Sequence, residues 1–325
     1  NPTLGRQLTR HLEHYRYYHW NECWPVQGFP AHRLNSPLKI LVTGGDGLLA
    51  HALSRLSQPD HELIFVSRRD FDLTNLGQME RQVDHFAPQA VINTAAYNLV
   101  DRCEIERDLS WAANASGPGT LATICATRAI PLVHFGTDYV FDGANKTPYR
   151  ETDATNPLNH YAAGKLAGEL AVLRASPANL VLRTSWVFDW HPTQTKSFVH
   201  SVCKAAREGR ALKSTTDQVS VPTFAPDLAG WTLEMLERGA AGLFHAVNDE
   251  GISRYDWTIS ILEEAVSRQL ISSVPPVEPV LSSFFSATMR RPDYTVLSNQ
   301  KLSGELGRPL GSWRAGLRKM LAQMK

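Results

Sequence analysis

The sequence predicts an α/β protein with a doubly wound parallel sheet and a smaller, interleaved C-terminal lobe. Two observations predict this fold. From residue 38 to about 185, short β-rich runs alternate with apolar segments of helical periodicity, which is typical of a parallel sheet covered by helices on both faces. A glycine-rich turn follows the first β-rich run. Together they indicate a Rossmann-type fold.

The elements of this pattern follow one another closely along the chain. The predicted strands are Lys39–Thr43, Glu62–Val66, Ala90–Thr94, Leu132–Phe135 and Leu180–Arg183. The predicted helices are Leu48–Leu56, Leu76–Phe86, Glu104–Thr127 with an interruption near Gly117, and Leu158–Arg174. We therefore expect a nucleotide-binding Rossmann domain over residues 38–185, with later strands from about 208–249. Residues 186–325, punctuated by prolines, are expected to form the interleaved substrate-binding lobe.

Residues 1–37 read as an N-terminal extension or the remnant of an upstream domain, since Rossmann enzymes usually begin close to their first strand. Leu4–Trp20 is a candidate helix rich in His, Tyr and Trp. We interpret it as an aromatic packing face rather than a metal site, although a site at His11, His14 and His19 stays open.

Composition excludes several functions. The formal net charge of +1 gives no electrostatic case for nucleic acid or an anionic membrane. No apolar run approaches the ~18 residues of a membrane helix. The four cysteines are widely spaced, so a disulfide framework or zinc site is not expected, and a cytoplasmic location is the default. We expect no metal centre.

The turn after the first strand has the spacing of a phosphate-binding loop. Gly44, Gly47 and Ala50 match G-x-x-G-x-x-A, and Leu48 and Leu49 begin the following helix. The glycines permit a tight turn and close approach of the backbone to a pyrophosphate, which the helix N-terminus then attracts. We therefore predict that these residues bind a dinucleotide.

Two arginines indicate which dinucleotide is bound. An NAD-selective protein places an acidic residue ~20 positions after the turn, but here the second strand is followed by Arg68 and Arg69. Guanidinium groups suit a 2′-phosphate. The prediction is NADPH, while the nearby Asp70 leaves NADH open and both arginines could simply be solvated.

A tyrosine and a lysine four residues apart suggest the chemistry. Tyr161 and Lys165 share one face of a predicted helix, and Thr137 ends the preceding strand. Hydride reduction of a ketone creates an alkoxide that needs a proton, and a phenol whose pKa is lowered by a neighbouring ammonium can exchange one. The motif alone is weak. Its position after a nucleotide-binding turn makes it persuasive.

Longer stretches then resemble a known family, the extended short-chain dehydrogenase/reductases, and within it the dTDP-4-dehydrorhamnose reductases. The resemblance covers about residues 38–325. The similar stretches include FDLTN (71–75), VINTAAYNLVD (91–101), NASGPGTLA (114–122), GTDYVFDG (136–143), PYRETDATNPLNHYAAGKLAGE (148–169), RTSWVF (183–188), TDQVSVPT (216–223) and RPDYTVLSN (291–299).

The resemblance implies NADPH-dependent reduction of the C4 ketone of a dTDP-4-dehydro-6-deoxyhexose. It assigns catalysis to Thr137, Tyr161 and Lys165. It places around the cofactor Asp72, Leu73, Ala95, Ala96 and Tyr97. It places at the nucleotide-sugar substrate Val100, Asp138, Tyr139 and Trp186. Similar dehydratases carry an acidic residue where Tyr139 stands, so their water elimination is not expected here.

Some alternatives stay open. Tyr139 and Trp186 could be core aromatics, and Asp72 a helix cap. The family usually has Ser at Gly136, Y-G-x-S/T-K at the helix motif and Gly at Ser220. The function could instead be that of a non-catalytic subunit resembling the regulatory subunit of methionine adenosyltransferase, or of a related epimerase or keto-reductase. A homodimer and an upstream fused domain are further expectations.

Overall fold

The structure, a computed structural model, describes residues 37–56, 61–191, 197–285 and 289–324. The N-terminal extension, with its expected helix and histidine cluster, lies outside these ranges. Among the described residues, no helix has both the length and the apolar character needed to cross a membrane.

The strands and helices come in chain order as follows. The strands are β1 (Leu38–Thr43), β2 (His61–Val66), β3 (Ala90–Asn93), β4 (Leu132–Thr137), β5 (Leu180–Thr184), β6 (Val187–Phe188), β7 (Leu212–Thr215), β8 (Val219–Ser220), β9 (Thr223–Phe224), β10 (Gly242–His245), β11 (Ile252–Ser253) and β12 (Val277–Val280). The helices are α1 (Leu48–Ser54), α2 (Leu76–Phe86), α3 (Val100–Cys103), α4 (Arg107–Trp111), α5 (Gly117–Thr127), α6 (His160–Ala175), α7 (Phe198–Arg207), α8 (Ala225–Glu237), α9 (Arg254–Ser267), α10 (Gln300–Leu306) and α11 (Trp313–Leu321).

The central sheet has six parallel strands in the order β10-β5-β4-β3-β1-β2. The chain reverses direction across the sheet at β1, which pairs with β2 on one side and β3 on the other. The carboxyl ends of β1 and β3 therefore form the switch point at which such sheets bind ligands. The predicted doubly wound α/β fold is confirmed.

Both faces of the sheet are buried, as its nearly continuous apolar strands require. Ile40 and Val42 of β1 point into a core shared with α1 and α8, while Leu41 points into the opposite core with α2 and α5. A third core, built around the buried Trp257 and Trp313, holds the C-terminal part of the chain together.

The later strands divide between the sheet and its surroundings. Of the described strands between residues 208 and 249, β10 joins the central sheet, whereas β7, β8 and β9 pair with β12, β11 and β6. Several late strands were expected in the central sheet, and the described residues of this range supply one, β10. The division of the chain near residue 185 stays a prediction.

The predicted helix over Glu104–Thr127 is differently interrupted. Its break is not at Gly117, which lies within the helical run, but in the π-helical turn Ala112–Ser116 that joins α4 to α5. This turn packs against α6, where a Cβ added to Gly168 would lie 2.2 Å from the carbonyl oxygen of Asn114. The close contact sets the height of α6 over the sheet.

Candidate functional site

The glycine-rich turn lies at the switch point of the sheet. Gly44 has a φ of +69°, and a Cβ there would be 2.8 Å from the amide nitrogen of Ala95, which follows β3. A Cβ on Gly47 would be 3.0 Å from the Gly44 carbonyl oxygen. Backbone therefore approaches backbone here without side chains, and α1 begins directly after the turn, at Leu48 and Leu49. This geometry suits a pyrophosphate.

The adenine end of the predicted cofactor site opens beyond β2. Arg68 and Arg69 are exposed at the rim of a depression of about 730 Å³ that also includes Asp72. The Arg68 Nε atom donates to Asp72 Oδ2 over 3.2 Å. Asn75, rather than Asp72, caps α2 by accepting from the Gln78 amide. The open alternative of a helix cap at Asp72 is therefore wrong.

The segment after β3 is held by a residue that the sequence analysis did not single out. Asn114 accepts a 2.8 Å hydrogen bond from the Tyr97 amide and donates over 3.0 Å to its carbonyl oxygen. Both bonds fix the loop Ala95–Tyr97 beside the glycine-rich turn. The buried Leu73 lies against the start of α5, where a Cβ on Gly117 would be 2.5 Å from its carbonyl oxygen. Asn114 begins the stretch NASGPGTLA (114–122), and the resemblance of that stretch to the family was the sequence signal that could have identified it.

The three predicted catalytic residues come together at the carboxyl end of β4. The side chain of Thr137 lies close enough to the Tyr161 hydroxyl to influence its pKa. Lys165 lies one turn further along α6, is 3% exposed, and donates from Nζ to the Phe135 carbonyl oxygen over 2.6 Å. Asn159 caps α6 by accepting from the Ala162 amide. The cap sets where the helix begins, and so where Tyr161 meets Thr137.

Burial controls the charge of these groups. It raises the pKa of the Tyr161 phenol above its ordinary range, an effect that the side chain of Thr137 opposes. The expectation that the neighbouring ammonium lowers the pKa of this phenol is therefore wrong for the protein without ligands. It lowers the pKa of the Lys165 ammonium to about 8, and the Glu169 carboxylate opposes that change. The site therefore holds a protonated phenol beside an ammonium that titrates close to neutral pH.

The side chain of Asp138 is buried beside Thr137 and is not exposed to solvent. It is 2% exposed, and its carboxylate accepts from the hydroxyls of Ser220, Thr295 and Thr137. Burial raises its pKa to about 6, while these hydrogen bonds act in the opposite direction. Ser220 thereby acts as a hydrogen-bond donor to a buried carboxylate. Substrate contact by Asp138 stays a prediction.

The predicted substrate residues Val100, Tyr139 and Trp186 are all partly buried. The ring of Tyr139 meets that of Tyr161 edge-on, with centroids 6.2 Å apart. Trp186 stacks on Trp257 at 5.3 Å and has a φ of 41°, a left-handed backbone uncommon for a non-glycine residue and frequent at functional sites. Val100 begins α3 and is partly buried.

Arg254 is a further site residue that the sequence analysis missed. Its guanidinium carbon lies 3.5 Å from the centroid of the Trp186 ring and 4.5 Å from that of Phe198. Burial lowers its pKa to about 10, and the neighbouring Tyr139 opposes the shift. The side chain remains cationic and is held rigidly by aromatic faces. No sequence motif marks it, because only the tertiary fold brings α9 to Trp186.

Comparisons with known proteins agree with this geometry. The family model described as the RmlD substrate binding domain matches residues 38–325. The chain belongs to this family. The dTDP-4-dehydrorhamnose reductase of Mycolicibacterium smegmatis is 35% identical over 87% of this chain and 85% of its own length. That of Aggregatibacter actinomycetemcomitans is 30% identical over 87% of this chain and 98% of its own length.

Solved structures of the RmlD family share the fold. The dTDP-4-dehydrorhamnose reductase from Clostridium acetobutylicum is 30% identical and has a TM-score of 0.81, with 88% of this chain and 99% of that chain covered. The one from Bacillus anthracis, solved in complex with NADP, is 27% identical with a TM-score of 0.82 and the same coverage. The resemblance predicted from the motifs is confirmed.

Proposed function

We propose that this protein reduces the C4 ketone of a dTDP-4-dehydro-6-deoxyhexose with NADPH, as in the conversion of dTDP-4-dehydrorhamnose to dTDP-rhamnose. The observation that carries the proposal is the proximity of the Thr137 and Tyr161 side chains at the carboxyl end of β4, with Lys165 one turn along α6. Membership of the RmlD family, and the reductases named within it, supports the choice of substrate.

The residues present fit a nicotinamide dinucleotide. The side-chain-free turn at Gly44 and Gly47 can receive the pyrophosphate, and Arg68 and Arg69 suit a 2′-phosphate. NADPH is therefore favoured and NADH stays open. A dinucleotide held by these residues would supply the hydride. The loop Ala95–Tyr97, held by Asn114, would line the same cofactor.

The proton step follows from the charges of the site. With substrate bound, the Thr137 hydroxyl would donate to the ketone oxygen instead of to Asp138 and so polarise the ketone, and hydride addition would leave a negative charge on the C4 oxygen. Tyr161, which burial keeps protonated, transfers its proton to that oxygen, so the product is a neutral alcohol. The adjacent Lys165 ammonium stabilises the phenolate that remains.

We assign substrate binding to the partly buried residues next to Tyr161 and Arg254. Tyr139, Trp186 and Val100 would contact the sugar, and Arg254 offers a preorganised cation for the diphosphate. A homodimer and an upstream domain stay predictions. We place the reaction in the cytoplasm, which the free, buried thiols of Cys103, Cys125 and Cys203 support.

The decisive experiment follows the loss of NADPH absorbance with dTDP-4-dehydrorhamnose as substrate. Turnover should fall about 10²- to 10⁴-fold in Tyr161→Phe, while NADPH fluorescence on binding is retained. Tyr255→Phe, a partly buried tyrosine on α9, is the matched control. No turnover by a native protein that binds NADPH would refute the proposal and favour a non-catalytic role.

A further inference from the structure

Behind the catalytic residues lies a buried ion pair to which no role has yet been given. Glu169 follows Lys165 by one turn of α6 and is 1% exposed, and Arg183 on β5 is 4% exposed. The Arg183 Nε atom donates to Glu169 Oε2 over 2.9 Å. The other carboxylate oxygen, Oε1, accepts from the backbone amide of Thr137 over 3.3 Å. One carboxylate on the helix of Lys165 thus contacts both β4, at the Thr137 amide, and β5, at Arg183.

The backbone of β4 makes room for this carboxylate. Gly136 lies opposite Arg183 in the pairing of β4 with β5. A Cβ on Gly136 would be 2.1 Å from Glu169 Oε1 and 2.9 Å from Arg183 Cγ. The carboxylate therefore occupies the space in which a side chain at position 136 would begin. A side chain at position 136 would therefore require the carboxylate of Glu169 to move.

A buried ion pair needs a reason, because removing two charges from water costs several kcal/mol that their attraction often only offsets. Stability alone is a weak explanation, and one guanidinium nitrogen of Arg183, Nη1, is buried without a hydrogen-bond partner. The position of the pair beside a buried lysine suggests an electrostatic role instead.

The groups that face Lys165 can be named element by element. Phe135 of β4 accepts the hydrogen bond from Nζ. His134, also on β4, is fully buried and uncharged, since burial and Lys165 hold its pKa well below the ordinary value. Tyr161, one turn before Lys165 on α6, is a neutral phenol, and the cation of Arg183 on β5 is paired with Glu169. Glu169 is the anion that opposes the desolvation of Lys165.

We propose that Glu169 and Arg183 are positioning residues for the reduction: Glu169 holds the Thr137 amide in place and keeps Lys165 positively charged in its buried site, and Arg183 moderates that charge. The inference rests on the proposed function, because only proton transfer at Tyr161 gives the charge of Lys165 a purpose. Removal of Glu169 and removal of Arg183 should shift the pKa of Lys165 in opposite directions, because the two residues carry opposite charges.

The test measures the titration of Lys165 directly. The protein is labelled with ¹³Cε-lysine, and the Lys165 resonance is assigned from its loss in Lys165→Met. Relative to the native protein, E169Q should lower the pKa of Lys165 by about one unit or more and R183Q should raise it, with the double variant between them. The surface variant Glu264→Gln, which breaks an i,i+4 pair on α9, should leave the titration unchanged.

The basic limb of the kcat profile with NADPH should move in the same two directions. Shifts in one direction only, or none, would overturn the inference and leave the pair with a structural role. If E169Q fails to fold, Glu169→Asp withdraws the carboxylate by one methylene and should give a smaller shift of the same sign. Opposite shifts in a protein that does not reduce the nucleotide sugar would refute the proposed substrate instead.

Discussion

At the scale of single residues, Arg254 is the cation that we propose for the diphosphate of the substrate. Its guanidinium is stacked on Trp186 and Phe198, so little side-chain entropy is lost when it binds an anion. Arg254→Gln should raise KM for the nucleotide sugar about 10- to 100-fold, with kcat changed less and cofactor affinity unchanged. Steady-state kinetics with both substrates varied would measure this. Arg314→Gln, an exposed arginine over Trp313, is the control, and an unchanged KM would remove Arg254 from the diphosphate site.

The buried carboxylate of Asp138 leads to a second prediction, which concerns how the free energy of unfolding depends on pH. Its pKa is raised to about 6 by burial, so the folded protein holds this proton more tightly than the unfolded chain. The free energy of unfolding should therefore decline as pH rises from about 4 to about 6, by an amount on the order of 1–3 kcal/mol. Denaturant unfolding across this range should show a flatter dependence in Asp138→Asn. Equal slopes in the native protein, in Asp138→Asn and in the exposed control Asp293→Asn would contradict the assigned pKa.

The site residues differ in how far the sequence could reveal them. Tyr161 and Lys165 share a helix face, and Thr137 ends a strand, so local spacing and position were sufficient. Arg254 and Glu169 act through contacts between elements far apart in sequence, and no local pattern encodes such contacts. Gly136 carried a signal as a departure from the family, but only the fold places a carboxylate beside it.

At the scale of elements, the packing of α6 on the π-helical turn is a testable support of the site. A Cβ on Gly168 would be 2.2 Å from the carbonyl oxygen of Asn114, and backbone cannot yield as a flexible side chain can. Gly168→Ala should lower the free energy of unfolding by about 1–3 kcal/mol and weaken NADPH binding, because Asn114 holds the loop at Tyr97. Denaturant unfolding and fluorescence titration would measure the two effects.

The matched control for that substitution is Gly304→Ala. Gly304 lies in α10, and a Cβ there would have no atom within 4 Å. The same change should stabilise the protein by about 0.4–1 kcal/mol, because alanine restricts the unfolded chain more than glycine does. Equal effects at both positions would show that helix propensity, and not the contact with Asn114, determines the result.

The elements themselves were predictable where periodicity was strong. Helix α2 was predicted at its observed bounds, and β1 to β5 within one or two residues, because apolar runs between polar turns specify buried strands. The π-helical turn was not, since its cause is the approach of α6 rather than any local sequence signal. The short strands β6, β8 and β9 pair over two residues each, which is too short for a periodic pattern.

At the scale of the whole molecule, the proposed cofactor would span the carboxyl edge of the sheet. Arg68 and Arg69 lie beyond β2, and the catalytic residues lie at β4, on the far side of the switch point. A ligand that binds only the folded protein stabilises it in proportion to the logarithm of its concentration over Kd. NADP⁺ should therefore raise the melting temperature more than NAD⁺ at equal concentration, since only NADP⁺ carries the 2′-phosphate that the arginines can bind.

In the double variant Arg68→Ala, Arg69→Ala the two cofactors should give equal shifts of the melting temperature, while the shift with NAD⁺ stays at its native size. The surface variant Arg308→Ala, which removes an arginine paired with Glu234, should keep the native difference. Equal shifts by both cofactors in the native protein would show that these arginines do not select the cofactor.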